Sequence, residues 1–191
     1  GVLQEIKGDY QEGAALLAAI CRLGGHPIML MGPRNAAGIR STAAVYKARD
    51  CLRTAQRLGL PVVFYFGDQW YRGTGTENAE RLAARMDFLD TLHSLTVPRI
   101  HIVLTAGGLS RVSLNSSADA IVYVTGAGTS SELADFNCLN LKDAFDVAQR
   151  FIGIVHRKQA ATLNNQGFPK VTDVELPDAA RPFDMRPMVN S

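Results

Sequence analysis

Blocks of apolar and polar residues alternate along the chain and predict strands that alternate with helices. Apolar runs too short for helices predict four strands, at 27–31, 61–66, 100–104 and 120–124. Apolar residues that recur every three to four positions predict three helices, at 42–58, 77–95 and 142–155. Residues 11–23 are apolar enough for either element, and their Ala and Leu content favours a helix.

The order of these elements predicts an α/β fold with a parallel sheet and helices packed on it. Gly24-Gly25 predicts a hairpin or turn before the first strand. Gly107-Gly108 and Gly126 follow two later strands, and each predicts a turn into a helix at the same edge of the sheet. Residues 1–158 are expected to form one compact domain, and the Pro- and Asp-rich residues 159–191 an extended arm or interdomain linker.

Some chemically interesting residues also have a purely structural explanation. The four basic residues of the first predicted helix fit a solvated face better than a binding site; they are Lys47, Arg49, Arg53 and Arg57. His101 lies inside a predicted buried strand, which favours a core residue over a catalytic base. Trp70 follows another strand, where it can line a ligand cleft or pack its loop, and the sequence does not decide between them.

The composition is that of an ordinary globular protein with 191 residues, 47% apolar residues and a net charge of +2. No basic stripe indicates a nucleic-acid partner, and no run is long enough to predict a membrane span. The three isolated cysteines lack metal-ligand spacing and predict buried thiols in a reducing compartment. No signal-peptide pattern is present at the start, so we expect a soluble cytoplasmic protein; the first residue is not Met, so we expect a segment of a longer one.

The Gly107-Gly108 turn is the strongest candidate for chemistry. At such a turn, unpaired backbone N–H groups at a helix start can stabilise an oxyanion, and glycine leaves room for a ligand; a plain strand-to-helix connection is the alternative. The motifs of serine hydrolases, phosphate-binding loops and zinc proteases are absent, and Gly126-Ala127-Gly128 is only part of a dinucleotide fingerprint. An enzyme with these residues would depend on backbone donors rather than on acidic and basic side chains.

Several short motifs occur in order along the chain: Gly24-Gly25-His26-Pro27, Lys47-Ala48-Arg49 in the helix 43–58, Pro61-Val62-Val63, Thr96-Val97-Pro98-Arg99, Gly107-Gly108, Val124-Thr125-Gly126 and Leu176-Pro177-Asp178. With these motifs the chain resembles a known family, the carboxyltransferase (β) subunits of biotin-dependent acyl-CoA carboxylases in the crotonase/ClpP superfamily. The resemblance covers about residues 8–188.

This resemblance implies a crotonase-like β-β-α superhelix that moves a carboxyl group between carboxybiotin and an acyl-CoA, or a carrier-bound acyl group, through an enolate. The implied oxyanion hole is the backbone of Gly107, Gly108 and Leu109, where the family has Gly-Gly-Ala. The implied substrate and cofactor contacts are Gly67, Asp68, Trp70, Gly73, Arg111, Thr125, Gly126 and Ala127.

The same resemblance implies biotin on a carrier protein and a coenzyme A thioester, with no metal in the domain. Implied partners are another copy or a second crotonase-like half, the biotin carboxyl carrier protein and the biotin carboxylase. Two alternatives remain open: a catalytically degenerate half that stabilises an assembly, and a biotin-independent acyl-CoA decarboxylase or hydratase on the same scaffold.

Overall fold

The computed structural model describes residues 2–5, 15–34, 41–66, 79–104, 117–126 and 131–163. In these residues a single sheet contains β1 (Val2–Glu5), β2 (Leu16–Leu23), β3 (His26–Pro33), β4 (Val62–Phe66), β5 (Arg99–Val103), β6 (Ala120–Val124) and β7 (Phe136–Cys138). The helices are α1 (Thr42–Leu58), α2 (Ala79–Ser94) and α3 (Leu141–Leu163). The chain divides into two compact units, Gly1–Lys158 and Gln159–Ser191, and the sheet belongs to the first.

The strands lie side by side in chain order, and the five strands from β3 to β7 are parallel. β1 and β2 extend the sheet as antiparallel strands at one edge. The predicted α/β fold with a parallel sheet is therefore confirmed, and all four predicted strands are present. Because neighbouring parallel strands end at one edge, the segments that leave β3, β4, β5 and β6 all start there.

The prediction of a helix at 11–23 was wrong for its described part, which forms strand β2. Each residue from Leu16 to Leu23 is paired with β3 through a hairpin. Gly24 and Gly25 form its tip with φ angles of 58° and 86°, which two-residue hairpins of type I′ require. The ladder of pairs outweighs the weak helical preference of Ala and Leu, because strand preference depends on packing against neighbours.

The helices pack on both faces of the sheet through two apolar layers. One layer joins α1 and α2 to the sheet and contains Val45, Leu52, Phe64, Phe88 and Leu92. The other joins α3 to the opposite face and contains Val63, Ile100, Ala144, Ala148 and Ile152. β4 contributes to both layers, as expected of a parallel strand covered on both faces. The predicted apolar face of the last helix is thus confirmed, and the helix is longer than predicted.

Helix α1 begins and ends where the sequence predicted. The Ser41 side chain accepts a hydrogen bond from the Ala44 backbone N–H at 3.1 Å, and Gly59 ends the helix at φ 64°. Arg53 and Arg57 are exposed, as predicted for a solvated face. That prediction was wrong for Lys47, which is only 6% exposed.

Lys47 is buried because its position on the helix decides its surroundings. It lies three residues after Ala44 and four before Cys51, and both of those residues face the core. Its Nζ donates to the backbone carbonyl of Leu16 at 3.2 Å. Among the described residues no carboxylate pairs with it.

Helix α2 buries only part of the stripe that its periodicity predicts, which is Ala79, Leu82, Ala83, Met86, Leu89 and Leu92. Leu92 is buried as predicted, but Leu82 and Met86 have exposed fractions of 50% and 60%. Ala84 and Phe88 share the buried face with Leu92. Two apolar stripes run along this helix, and the one that carries an aromatic ring faces the sheet, since that ring buries the larger apolar area.

The helix predicted after Thr129 was also wrong in its described part, where the chain forms turns and then strand β7. The polar side chains of this region support the turns rather than a helix start. Asn137 exchanges two hydrogen bonds with the Ser131 backbone, at 2.8 and 3.0 Å. The Asp135 carboxylate accepts from the Ile121 backbone N–H at 2.7 Å, which ties this region to β6.

A stacked pair of histidines joins the start of β3 to the last part of α3. The rings of His26 and His156 lie 4.4 Å apart and are tilted by 10°. Burial lowers the pKa of His156 below its ordinary 6.5, and the positive charge of His26 lowers it further. The folded protein therefore binds a proton at this site less readily than the unfolded chain does.

We expect acid to destabilise the protein through His156. Because the folded pKa is depressed, this contribution to stability is present above about pH 6.5 and is lost as the pH falls through the folded pKa. Urea unfolding at pH 7.5 and pH 5 should show a smaller pH dependence for His156→Gln than for wild type. His93→Gln, at an exposed histidine, is the matched control; an equal pH dependence in all three proteins would contradict the assignment.

Candidate functional site

The candidate site is the edge of the sheet at which the parallel strands end. β4, β5 and β6 are adjacent, with Phe66 opposite Val103 and Val103 opposite Tyr123. The ladder continues past the strand ends, since the Leu104 N–H donates to the Phe66 carbonyl at 2.8 Å. Three predicted site segments therefore leave the sheet from three neighbouring strand ends, after Phe66, Leu104 and Val124.

Thr125 and Gly126 are the predicted site residues that the structure describes. The Thr125 backbone N–H donates to the Cys138 carbonyl at 2.8 Å, and its Oγ1 lies 3.2 Å from the same oxygen. These bonds hold the end of β6 against the end of β7. Gly126 is exposed at φ 57°, and a Cβ added to it would meet no atom of the described residues within 4 Å. Within the described part of the chain the space beside Gly126 is open, which suits a ligand that approaches the backbone.

The other predicted site residues lie outside the described residues. They are Gly67, Asp68, Trp70, Gly73, Gly107, Gly108, Leu109, Arg111 and Ala127. Their roles, together with those of Thr125 and Gly126, stay predictions. What the structure shows is that the strand ends before these segments lie side by side.

The described thiols and the core histidine do not supply acid-base groups at this edge. All three cysteines are free and buried, as predicted. Burial raises the pKa of Cys51 to about 11, and burial also raises the pKa of Cys21 and Cys138, so all three stay protonated near neutral pH. His101 is 1% exposed and packs against the rings of Phe64 and Phe66, in agreement with a core role.

A groove of about 610 Å³ lies between α1 and α2, toward the ends of both helices. Its lining includes two arginines, Arg53 and Arg57, and two aspartates, Asp50 and Asp90. The opposite charges cancel, so the groove does not select an anion or a cation. Among the described residues, no three His, Cys, Asp or Glu side chains are grouped to hold a metal ion. No helix in the described ranges is long and apolar enough to cross a bilayer.

Sequence reasoning missed two polar contacts close to this edge. The Tyr65 hydroxyl donates to the Pro33 carbonyl at 3.1 Å, and the Lys47 ammonium holds the first residue of β2. Both contacts join elements that are far apart in the chain, so no local pattern reports them. The sequence predicted this strand only as far as Met31, so Gly32 was not recognised as a strand glycine that marks a close approach.

The chain shares its fold with the β subunit of an acyl-CoA carboxylase and with a malonate decarboxylase chain, in agreement with the resemblance seen in the sequence. The β subunit of Pseudomonas aeruginosa geranyl-CoA carboxylase superposes with a TM-score of 0.57 at 17% identity; the match covers 73% of this chain and 35% of that one. A chain of a Pseudomonas malonate decarboxylase hetero-tetramer, solved with malonate, superposes with a TM-score of 0.60 at 16% identity, covering 94% of this chain and 88% of that one.

A sequence relative is also a carboxyl transferase subunit. The chain is 30% identical over 118 residues to the acetyl-coenzyme A carboxylase carboxyl transferase subunit alpha of Burkholderia vietnamiensis, a match that covers 54% of this chain and 36% of the relative. The chain thus spans about a third of the length of the curated relatives it matches. No protein-family model matches the chain.

Proposed function

We propose that the chain is a carboxyltransferase-type domain that moves a carboxyl group between carboxybiotin and an acyl-CoA or a carrier-bound acyl group. The observation that carries this proposal is the common origin of the three predicted site segments at neighbouring strand ends, in a fold shared with carboxyltransferases. Biotin on its carrier supplies the activated carboxyl group, and the acyl-CoA supplies the carbon that accepts it. The chain itself binds and orients the acyl-CoA and stabilises the enolate.

The proposed chemistry depends on backbone donors. When the acyl-CoA loses a proton or a carboxyl group next to its thioester, negative charge develops on the thioester oxygen. The N–H groups of Gly107, Gly108 and Leu109 are proposed to donate hydrogen bonds to that oxygen, which stabilises the enolate. Thr125, Gly126 and Ala127 are proposed to contact substrate from the neighbouring strand end, where the described residues leave the space beside Gly126 open.

The partners in the proposal come from the resemblance and from the assemblies of the structural neighbours. The chain matches about a third of the geranyl-CoA carboxylase β subunit, and it matches most of a chain that occurs in a hetero-tetramer. We therefore propose that a second copy or a second crotonase-like half completes the site. The biotin carboxyl carrier protein and the biotin carboxylase are the proposed further partners, in the cytoplasm.

A biotin-independent decarboxylase is the second candidate, and one observation favours it. The malonate decarboxylase chain superposes on 94% of this chain with a TM-score of 0.60, and the geranyl-CoA carboxylase subunit on 73% with a TM-score of 0.57. In that reaction the bond between the carboxylate and the α-carbon of malonyl-CoA breaks, CO₂ leaves, and the enolate takes a proton. The same backbone donors would stabilise the same enolate.

Two assays on the purified chain separate these functions. Malonyl-CoA and methylmalonyl-CoA are supplied with and without free biotin, and the release of acetyl-CoA or propionyl-CoA is measured. Turnover that requires biotin supports carboxyl transfer, and turnover without biotin supports decarboxylation. No turnover, together with no binding of either thioester by calorimetry, would contradict both; if the chain still assembles in sedimentation, it would be a degenerate half.

A further inference from the structure

The exits of β3 and β4 are joined by a side chain where their backbone ladder stops. The paired register of these two strands ends at Met31 and Phe64. One residue further along β4, the Tyr65 hydroxyl donates to the carbonyl of Pro33, the last residue of β3, at 3.1 Å. Within the described residues, this hydrogen bond connects the two strand ends beyond the last backbone pair.

The Tyr65 ring reaches β3 because Gly32 has no side chain. A Cβ added to Gly32 would overlap three carbon atoms of the Tyr65 ring. Gly32 does not have a positive φ, so its backbone conformation is one that any residue can adopt. What the position requires is therefore empty space for the ring, and Gly32 and Tyr65 form one complementary pair.

The surroundings keep the phenol protonated and able to donate. Tyr65 is half-buried against the layer that faces α3. Burial raises the pKa of its hydroxyl above the ordinary value, and the charge of Arg34 opposes that shift. The Arg34 backbone N–H donates to the Ala15 carbonyl at 2.8 Å, which fixes the same corner of the sheet to the start of β2.

We propose that Tyr65, seated against Gly32, is a positioning residue that sets the exits of β3 and β4 for substrate binding. Tyr65 is one residue before Phe66, after which the chain continues to the predicted substrate contacts Gly67, Asp68 and Trp70. A hydrogen bond that fixes the strand end fixes the point from which that segment starts. The inference rests on the proposed function, because it assigns the segment a role in acyl-CoA binding.

The variant that tests this role is Tyr65→Phe, which keeps the ring and removes only the donor. Trp70 is the only tryptophan of the chain, so its fluorescence reports on the segment that follows Tyr65, with or without activity. We expect acrylamide quenching of Trp70 to differ from wild type, the KM for the acyl-CoA to rise about fivefold, and kcat to stay the same. Gly32→Ala should change quenching further, because the ring must move.

Tyr123→Phe is the matched control, because it makes the same chemical change in the nearby strand β6, where no hydrogen bond of the Tyr123 hydroxyl is found within the described residues. It should leave Trp70 quenching and KM at wild-type values. Unchanged quenching and KM in Tyr65→Phe would overturn the proposal, as would a loss of thermal stability with unchanged quenching. If wild type binds no acyl-CoA, the proposed function fails, while the quenching comparison still tests the positioning of the segment.

Discussion

Replacing Gly108 by valine is expected to reduce turnover of malonyl-CoA by about 100- to 1000-fold, the loss typical of a disabled oxyanion-hole donor. In the proposed site, a valine side chain would occupy the space through which the thioester carbonyl approaches the backbone N–H. It would also restrict the turn to conformations that suit branched residues. The measurement is steady-state turnover with saturating thioester, with and without biotin.

Gly153→Val serves as the control for the same substitution at a glycine with no proposed role. Gly153 lies in α3, and an added Cβ there would meet no atom within 4 Å. This variant should keep wild-type turnover, and both variants should keep the oligomeric state of wild type in sedimentation. If Gly108→Val turns over as fast as Gly153→Val, the proposed oxyanion hole is in the wrong place.

Replacing Phe64 by alanine is expected to lower the free energy of unfolding by about 3–5 kcal/mol, the cost of removing a large ring from a closed core. Phe64 is 1% exposed in the middle of β4. Its ring centroid lies 5.4 Å from that of Phe66, 6.4 Å from that of Phe88 and 5.8 Å from that of His101. The ring thus joins β4 and β5 to α2, and the cavity would face all three elements.

Phe136→Ala is the control for this substitution, because Phe136 lies in the edge strand β7 and is 41% exposed. Phe136→Ala should lower the free energy of unfolding much less than Phe64→Ala, since folding removes less apolar area of Phe136 from water. Both free energies are measured by urea unfolding followed by circular dichroism. Similar costs for the two variants would contradict the packing of the layer between the sheet and α2.

The sequence predicted elements well where the pattern and the end signals agreed. Helix α1 begins after Ser41 and ends before Gly59, and both boundaries carry a local capping signal. The prediction was wrong where two local patterns competed. Residues 16–23 were apolar without a clear period, and α2 has one stripe with Leu82 and Met86 and another with Ala84 and Phe88. In such segments, packing against the neighbouring elements determines which pattern forms and which stripe is buried.

At the candidate site, too, some features could be predicted from the sequence and others could not. The strand ends that precede Gly67, Gly107 and Thr125 were predictable, because glycine-rich segments follow apolar runs in an alternating α/β pattern. The Tyr65 contact with Pro33 and the Lys47 contact with Leu16 were not, since the paired residues lie 32 and 31 positions apart. A hydrogen bond between distant residues depends on the register of the whole sheet.

By itself the sequence determined the α/β class, the strands that carry the candidate site, and the resemblance to carboxyltransferases, because each of these depends on local periodicity or on short motifs. The tertiary structure alone decided that β2 is a strand, that Lys47 is buried, and that Leu82 and Met86 face outward. It also decided that the Tyr65 hydroxyl donates a hydrogen bond from β4 to the Pro33 carbonyl at the end of β3. These outcomes depend on which surfaces meet, and burial is a property of the assembled layers rather than of any one segment.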